Sequence, residues 1–325
     1  MNIPENKTRS RSLAQGIFFI LSRILLIFLA LGSFGICTLY FFTLRDWRQF
    51  PENSLRDLNS SEHLLFYQTF FVLIFLDLIV LGYHQSALKR LIKPSASARS
   101  DWLFLIFTLT GIIRLTTLLF SFGVGYYIPI LIRRALSINI VIHISSPVLQ
   151  FIVHLIAYDF LTYWRHRCAH KIPFWWEVHK FHHAALEMNL ITSYRVHPLD
   201  WAFHHLFVCI PLAILGTPIE TYLFFSTFKN FLSGIRHSMV PWDWGWVGRT
   251  LLISPIAHRI HHSAQPEHWD KNFGHLSPLW DRLFGSWYYG KIINTEISVN
   301  DNYLNQKGVF WDLWESSRRC WRKMF

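Results

Sequence analysis

Long apolar runs dominate the first half of the chain and recur at intervals that suit membrane-spanning helices. Four such runs cover residues 24–44, 64–83, 102–132 and 147–164. Each run is about as long as, or longer than, the roughly 20 residues that a helix needs to cross a bilayer. The pattern therefore predicts an all-α membrane protein with about four transmembrane helices.

A fifth apolar stretch, residues 203–232, carries a turn signal near its middle. The sequence Gly-Thr-Pro at residues 216–218 divides it into two halves, each about 20 Å long at the rise of an α-helix. Neither half spans a bilayer comfortably. The stretch predicts a re-entrant helical hairpin that dips into the membrane and returns to the same side.

The distribution of Lys and Arg predicts an orientation. Lys7, Arg9 and Arg11 precede the first run, and further basic residues that include Lys89 and Arg90 separate the second run from the third. Because short basic loops stay in the cytoplasm, four crossings and a returning hairpin leave everything after residue 164 on the cytoplasmic side. A cytosolic helical cap is therefore expected on top of the membrane helices.

Composition agrees with a membrane protein and narrows the possible partners. Of the 325 residues, 52% are hydrophobic, and the mean hydropathy is +0.24, which is too apolar for an ordinary soluble domain. The net charge of +11 suggests anionic lipid head groups, since no nucleic-acid motif accompanies it. The closing stretch WESSRRCWRKMF suits an interfacial anchor and, equally, a solvated basic end. The four cysteines form no CxxC pair, which indicates neither a disulfide framework nor a thiolate metal site.

Three histidine clusters carry the candidate chemistry. HRCAH places His166 and His170 four residues apart, while HKFHH at residues 179–183 and HRIHH at residues 258–262 each place three imidazoles at i, i+3 and i+4. On a helix these offsets share one face. Imidazole is mostly neutral near pH 7 and free to bind metal. Eight histidines exceed what one tetrahedral ion uses, so the clusters predict two metal ions.

Two other classes of function remain open on these residues. A metal transporter also collects histidines on helices, but it places them near the bilayer midplane on broken helices, whereas these clusters follow the ends of apolar runs. A non-catalytic metal or pH sensor uses the same side chains, and gaps in the ligand set would distinguish it.

The order and spacing of the motifs resemble the fatty acid hydroxylase and sterol desaturase superfamily. The motifs DFLTYWRHRCAH, HKFHH, HPLD, HRIHHS and NFGHLSPLWDRLFGSWY carry this resemblance over residues 151–290. It implies a membrane-bound non-haem di-iron oxidoreductase that uses O₂, two iron ions and electrons from an external cytochrome b-type or ferredoxin-type donor. The implied reaction is hydroxylation of a C–H bond in a fatty acyl, sterol or related lipid, with desaturation as the alternative. The motifs do not choose between these substrates, ether lipids and carotenoids.

The resemblance also implies a set of metal ligands. The set consists of His166, His170, His179, His182, His183, His197, His237, His258, His261 and His262. His237 lies in GIRHS, where some family members have a second histidine four residues earlier and this chain has Ser233. His197 lies in RVHP and is as well suited to a supporting role as to ligation. The other nearby histidines, His204, His205, His268 and His275, are expected to support the site or contact substrate.

Two polar residues are predicted to support the ligands in catalysis. Asp159 precedes His166 by seven residues, which puts it on nearly the same helix face, where a carboxylate accepts an N–H from a ligand histidine and fixes its tautomer. Asn272, together with Asp281, is a candidate for the same role. The chain as a whole is expected to comprise an N-terminal transmembrane region (1–150), the catalytic domain (151–290) and a basic aromatic tail (291–325).

Overall fold

The computed structural model describes residues 55–113, 115–116, 131, 144–217, 219–290, 296–299 and 303–325. Helices connected by loops make up most of this part of the protein. Within these residues the only β-type pairing is an isolated bridge between Ser263 and Ile297. The all-α fold class is therefore confirmed. The first expected span, residues 24–44, and most of the third, residues 102–132, lie outside the described residues.

Twelve α-helices are labelled here in chain order. The first six are α1 (Leu55–Leu81), α2 (Ala87–Ile92), α3 (Ala96–Leu109), α4 (Pro147–Lys171), α5 (Pro173–His183) and α6 (Pro198–His204). The later ones are α7 (Ile210–Ile214), α8 (Ile219–His237), α9 (Gly245–Thr250), α10 (Pro255–His261), α11 (Leu279–Leu283) and α12 (Val309–Met324). Short 3₁₀ helices occur at Tyr83–Gln85, Leu190–Tyr194 and Pro266–His268, and a π-helix occurs at His205–Cys209.

The expected membrane spans are not confirmed. The runs 64–83 and 147–164 fall largely on α1 and α4. Across the described residues, however, no helix combines the length and the apolar character that a bilayer crossing requires. In α4 the apolar run is interrupted on its buried side by His154 and Asp159.

The predicted helical hairpin is present as a pair of helical arms. The first arm consists of α6, the π-helix and α7, and the second is α8. Between the arms, Gly216 adopts a left-handed φ of +78°, a conformation that glycine reaches without steric cost. Whether the hairpin dips into a membrane stays a prediction.

The three helices that carry the histidine clusters begin with the same local signal. Pro147, Pro173 and Pro255 each stand in the first turn of α4, α5 and α10. Proline suits this position, because its fixed φ is helical and the missing N–H would have no partner inside the helix. At α10 the side chain of Ser254 also accepts from the Ala257 N–H at 3.2 Å, a normal N-cap contact. The proline fixes where each helix begins and thereby the position of the histidines along it.

Helix α5 packs against both α4 and α12 and contributes to two of the hydrophobic clusters of the described residues. Trp175, Val178 and Phe181 of α5 are almost completely buried. The closing helix α12 packs along α5, and Lys323 near its end makes an ion pair with Glu177. The expected tail therefore contributes a helix that covers the metal-ligand helix.

A buried polar contact connects α3 to the segment that follows α5. Asp101 of α3 accepts from Asn189 and Thr192 at 3.2 and 2.8 Å. Arg195 lies 3.5 Å from the same carboxylate and is fully buried. Burying the guanidinium together with a carboxylate avoids the large cost of burying an unpaired charge. The contact fixes the backbone at Arg195, whose carbonyl oxygen is used in the site described next.

Candidate metal centre

The structure gathers nine histidines into two adjacent groups. The first group is His166, His170, His179, His183 and His261. The second group is His182, His237, His258 and His262. Within each group one ring nitrogen of every histidine lies within 4.8 Å of the others. Nine of the ten ligands implied by the sequence are thus brought together, and only His197 is not.

Two of the sequence clusters are divided between the groups. Along α5, His179 and His183 join the first group while His182 joins the second. Neighbouring residues on an α-helix point about 100° apart, so His182 and His183 cannot face the same centre. The cluster that begins on α10 divides in the same way. The two HxxHH motifs each build both groups, which join through a stacked contact between His183 and His262, ring centroids 4.2 Å apart.

The spacing of the inward nitrogens suits shared ions. Three Nε2–Nε2 distances, His170 to His183, His182 to His237 and His237 to His258, are each 3.2 Å. Two nitrogens bound to one ion at the usual metal–imidazole length are about 3.0 Å apart at a right angle and about 3.4 Å apart at the tetrahedral angle. The observed distances fall between these values. The rings are placed as ligands of a common ion would be.

Backbone carbonyls fix the tautomer of four of these rings. In the first group, Nδ1 of His166 lies 2.8 Å from the Phe273 carbonyl oxygen and Nδ1 of His261 lies 2.8 Å from that of Lys271. In the second, Nδ1 of His182 and of His237 lie 3.1 and 2.7 Å from the carbonyl oxygens of Arg195 and Ser233. A ring nitrogen facing a carbonyl must donate. The hydrogen therefore sits on Nδ1, and the Nε2 lone pair points inward.

Burial keeps the imidazoles in the form that binds metal. All nine are buried except His170, which is half-buried. Burial lowers the pKa of His237 and of His261 to about 3, and the other seven shift in the same direction, with burial as the largest cause. A neutral imidazole needs no deprotonation before it binds a metal ion.

Several inward nitrogens have no protein partner. Nε2 of His179, His261 and His262 is buried and makes no hydrogen bond in the described part of the chain. Buried polar atoms are nearly always satisfied, and the missing partners here lie at the centres of the two groups. The donor set, its tautomers and its unpaired nitrogens together fit two metal ions.

Asp200 is a supporting residue that the sequence reasoning missed. Its carboxylate lies 2.9 Å from Nδ1 of His179, accepts from Trp175 Nε1 at 2.8 Å and pairs with Arg165. Burial opposes its ionisation, but Arg165, His179 and Trp175 hold the pKa of the carboxyl well below its usual range. A charged partner on the outer nitrogen orients a ligand histidine and raises its basicity. The signal for it was present as the last residue of HPLD.

His197, in contrast, does not join either group. Its Nδ1 accepts from the Leu199 N–H at 3.1 Å, as the N-cap of α6. Its Nε2 lies 3.1 Å from the Leu313 carbonyl oxygen and 3.2 Å from the Ser317 hydroxyl. Both nitrogens are therefore engaged, and the geometry opposes the ligand role expected for His197. Instead the ring joins α6 to α12.

Asp159 and Asn272 do not contact a ligand histidine, contrary to expectation. Asp159 accepts from the backbone N–H of Leu276 and Ser277 at 3.1 and 3.3 Å, so it binds a loop rather than a ring. Asn272 donates to the carbonyl oxygens of Ala257 and Tyr288, both at 3.0 Å. Helix periodicity correctly placed Asp159 on the buried side of α4, but its carboxylate is occupied by the N–H groups of the loop at residues 276–277.

The segment 271–274 explains the NFG motif. Its Lys271 and Phe273 carbonyl oxygens hold two rings of the first group, and Asp281 fixes the segment by accepting from the Phe273 and Gly274 N–H groups at 2.8 and 2.7 Å. At Gly274 a Cβ would collide with the Ser277 carbonyl oxygen and with Asp281. Glycine is therefore required here for close approach. Asp281 supports the ligands through the backbone rather than directly.

The four further histidines that were expected to support the site, His204, His205, His268 and His275, lie outside the two groups. His275 contacts His166 with ring centroids 4.8 Å apart. His204 and His205 lie beside Trp201, and His268 packs against Tyr288. None of these four belongs to a group of side chains that could hold a metal ion among the described residues.

Comparison with known proteins identifies the domain that holds the two groups. Residues 151–286 match the family model described as fatty acid hydroxylase. The resemblance to the fatty acid hydroxylase and sterol desaturase superfamily that the motif order predicted is thereby confirmed for this domain.

Individual relatives share this part of the chain. An alkylglycerol monooxygenase of Xenopus tropicalis is 29% identical over 133 residues, which cover 39% of this chain and 28% of that protein. The ornithine lipid hydroxylase OlsE of Rhizobium tropici is 29% identical over 139 residues, 43% of this chain and 42% of that protein. A Delta(7)-sterol 5(6)-desaturase of Aspergillus fumigatus is 32% identical over 146 residues, 43% of this chain and 38% of that protein. The similarity thus spans less than half of each relative. No solved structure matches the chain.

Proposed function

We propose that this protein is an O₂-dependent di-iron oxidoreductase that hydroxylates a C–H bond of a lipid. The observation that carries the proposal is the pair of buried histidine groups, in which the Nε2 atoms of His179, His261 and His262 have no hydrogen-bond partner in the described part of the chain. The names of the relatives support it, since they describe a lipid monooxygenase, a lipid hydroxylase and a sterol desaturase. The first group would hold one iron ion and the second group the other.

When bound, the two iron ions would supply the redox chemistry that reduces O₂ and oxidises an unactivated C–H bond. The residues of this chain contribute the surroundings for that chemistry. Phe273, Lys271, Arg195 and Ser233 hold the tautomers through their carbonyl oxygens. Asp200 holds His179 with a full negative charge. Burial of the rings excludes water, which strengthens every charge interaction in the site.

Hydroxylation is the favoured reaction, and desaturation is the alternative within the same family. The similarity to a sterol desaturase keeps the alternative open, because both reactions use the same metals, O₂ and electrons. No haem-binding or flavin-binding motif occurs in the sequence. We therefore infer an external cytochrome b-type or ferredoxin-type protein as the electron donor.

The site is proposed to face the cytoplasmic surface of a membrane, and α12 supports a location at the interface. Phe310, Trp314, Trp321 and Phe325 are exposed by 68%, 64%, 64% and 83%, and their spacing puts them on one side of the helix. Basic residues at 318–323 flank this aromatic face. Exposed Trp and Phe beside Arg and Lys are typical of helices that lie in the head-group region of anionic bilayers.

Isotope labelling tests the reaction. The purified protein is supplied with iron, a reductant, a lipid extract and ¹⁸O₂, and the lipids are compared by mass spectrometry. A hydroxylated product carrying ¹⁸O supports the proposal, whereas a new double bond without label indicates desaturation. Metal binding without lipid turnover or consumption of reductant indicates a transporter or a sensor. The same product without O₂ contradicts any oxygen-dependent reaction.

A matched pair of histidine variants connects the product to the metal groups. His261→Ala removes an inward nitrogen of the first group and should lower both iron content and product. His84→Ala removes an exposed histidine beside Tyr83, remote in sequence from both groups, and should change neither. Full activity in His261→Ala would remove the first group from the reaction.

A further inference from the structure

A cluster of basic side chains lies beside the first histidine group, separated from it by one ring. The His275 ring contacts His166, a member of that group. Arg236 donates to the His275 carbonyl oxygen. Lys229 and Arg236 lie seven residues apart on α8, and therefore on nearly the same helix face. Arg165 directly precedes His166 on α4.

The carboxylates near this cluster are already engaged. Asp200 pairs with Arg165 and His179. Asp159 accepts hydrogen bonds from Leu276 and Ser277. Neither contact neutralises Lys229.

Lys229 is a cation of this cluster that has no carboxylate partner among the described residues. It is half-buried on α8, and no carboxylate of the described residues lies within ion-pair distance of it. Its ammonium lies 5.3 Å from the centroid of the Trp201 ring, which also contacts the buried His204. A cation over a ring face is stabilised, but the ring accepts no conventional hydrogen bond. The ammonium therefore retains donors for an anion.

Arg236 adds a second incompletely satisfied group to the same region. Its side chain is 2% exposed, it makes no ion pair within the described chain, and its Nε atom has no hydrogen-bond partner there. Asp159 supplies a negative charge that favours this guanidinium, but it forms no ion pair with it in the described chain, and a buried N–H without a partner is costly. A bound anion would accept hydrogen bonds from the Lys229 ammonium and would be stabilised by the positive charge of Arg236.

We propose that Lys229, supported by Arg236, binds the anionic head group of the lipid, either a carboxylate or a phosphate monoester. The identity of the ligand as a lipid rests on the proposed function, whereas the excess of positive charge does not. An apolar groove of about 320 Å³ is available for a hydrocarbon chain, lined by Ala157, Phe160, Leu161, Pro211, Ile214 and Leu215. Along α4, Leu161 lies one helical turn from Arg165.

Binding measurements with three single-chain lipids test this inference. Palmitate, 1-palmitoyl lysophosphatidate and hexadecanol present a carboxylate, a phosphate monoester and a neutral hydroxyl on chains of the same length. Radiolabelled forms are bound to the iron-loaded protein in dodecyl maltoside micelles. At least one anionic lipid should bind about tenfold or more tightly than hexadecanol, the size expected for a charge-assisted hydrogen bond. The lipid that does so identifies the head group.

Variants of Lys229 localise the effect. Lys229→Met should lower the affinity for the anionic lipid about tenfold and leave hexadecanol unchanged, whereas Lys229→Arg should retain selectivity. Lys307→Met is the matched control, because Lys307 also lies over a tryptophan ring, Trp311, at 4.6 Å. It should bind all three lipids as the unmodified protein does. Iron content measured in parallel reports whether each variant is folded around its metals.

Equal affinities for the three lipids in the unmodified protein would overturn the inference. So would an unchanged preference in Lys229→Met. If Lys229→Met loses its iron, the test rests on the other two proteins: the inference holds if the unmodified protein and Lys229→Arg both prefer an anionic lipid, and it fails if either does not. Charge-independent turnover of lipids would refute this inference and leave the proposed function standing, while charge-selective binding without O₂-dependent turnover would do the reverse.

Discussion

At the scale of single residues, the two histidine groups differ in what holds their outer nitrogens. Among the ring hydrogen bonds of the described chain, the carboxylate of Asp200 serves His179, while backbone carbonyl oxygens serve His166, His182, His237 and His261. A carboxylate transfers more negative charge to the ring than a carbonyl does. The first group therefore depends on one removable side chain in a way that the second group does not.

Asp200→Asn is expected to weaken metal binding by the first group selectively. The amide keeps the shape of the side chain but removes the charge that His179 and Arg165 face. Loss of such a partner costs about 10- to 100-fold in metal affinity. Iron content after dialysis against a graded series of chelator concentrations should show about half of the iron released early. Asp270→Asn, which removes an exposed carboxylate paired with Lys171, should release iron as the unmodified protein does.

The ligand residues could be predicted from the sequence, but most of their supports could not. Histidines at i, i+3 and i+4 point to a metal because the spacing alone puts them on one helix face. Their partners are carbonyl oxygens at Phe273 and Arg195, which every residue type possesses and which leave no mark in the sequence. Asp159 was predicted to accept a hydrogen bond from a ligand histidine, but its carboxylate accepts from backbone N–H groups of a loop instead. Asp200, in HPLD, and Asp281, in the NFG-containing motif, are the supports that the sequence motifs contain.

At the scale of helices, the sequence predicted the elements but not how they divide their side chains. The clusters on α4, α5 and α10 are helical as expected. Helix geometry separates His182 from His183, but which other histidines join each of them depends on where α8 and α10 approach α5, and no periodicity within α5 reports this. The tail was predicted only as a basic aromatic region after the catalytic domain, and the contacts of its helix α12 with His197 and Glu177 were not predicted.

The aromatic face of α12 is expected to contact lipid. Replacing Trp314 and Trp321 together by Phe should reduce the quenching of tryptophan fluorescence by brominated phosphatidylcholine in vesicles that contain one-fifth phosphatidylglycerol. The reason is that both rings are exposed on the side of α12 that faces away from α5. Trp269→Phe is the control, because Trp269 is 60% exposed and follows the Pro266–His268 3₁₀ helix, outside α12.

The two variants give opposite outcomes if the aromatic face binds the bilayer. Subtracting the fluorescence of a variant from that of the unmodified protein gives the emission of the replaced tryptophans. Brominated lipid should quench this difference for the double variant and should leave it unchanged for Trp269→Phe. Equal sensitivity of the two difference spectra would show that α12 has no special contact with the bilayer.

At the scale of the whole molecule, the clustered imidazoles link stability to pH and metal. Burial depresses the pKa of His237 and His261 from 6.5 to about 3. Between these values the unfolded chain binds protons that the folded chain does not. Stability is therefore fully present above pH 6.5 and falls as the pH drops below it. Each such histidine contributes up to about 1.4 kcal/mol per pH unit.

The metal-free protein should consequently lose stability between pH 7.5 and pH 5.5. These two histidines alone would remove up to about 3 kcal/mol over one pH unit, and the other seven shift in the same direction. A typical domain has only about 5–15 kcal/mol to lose, so the fall in melting temperature should be large. Scanning fluorimetry of the metal-free protein at several pH values measures it. This range avoids the ordinary titration of exposed carboxylates, whose pKa values lie near 4.

Iron should oppose the loss, because an ion that binds the neutral imidazoles stabilises only the folded chain. The iron-loaded protein is therefore expected to melt at a higher temperature and to keep that temperature to a lower pH than the metal-free protein. His261→Gln removes one titrating ring and should make the pH dependence of the metal-free protein less steep, whereas His84→Gln should not. A melting temperature that is independent of pH from 7.5 to 5.5 would show that the rings are not held neutral by burial, and the physical basis for their readiness to bind metal would be lost.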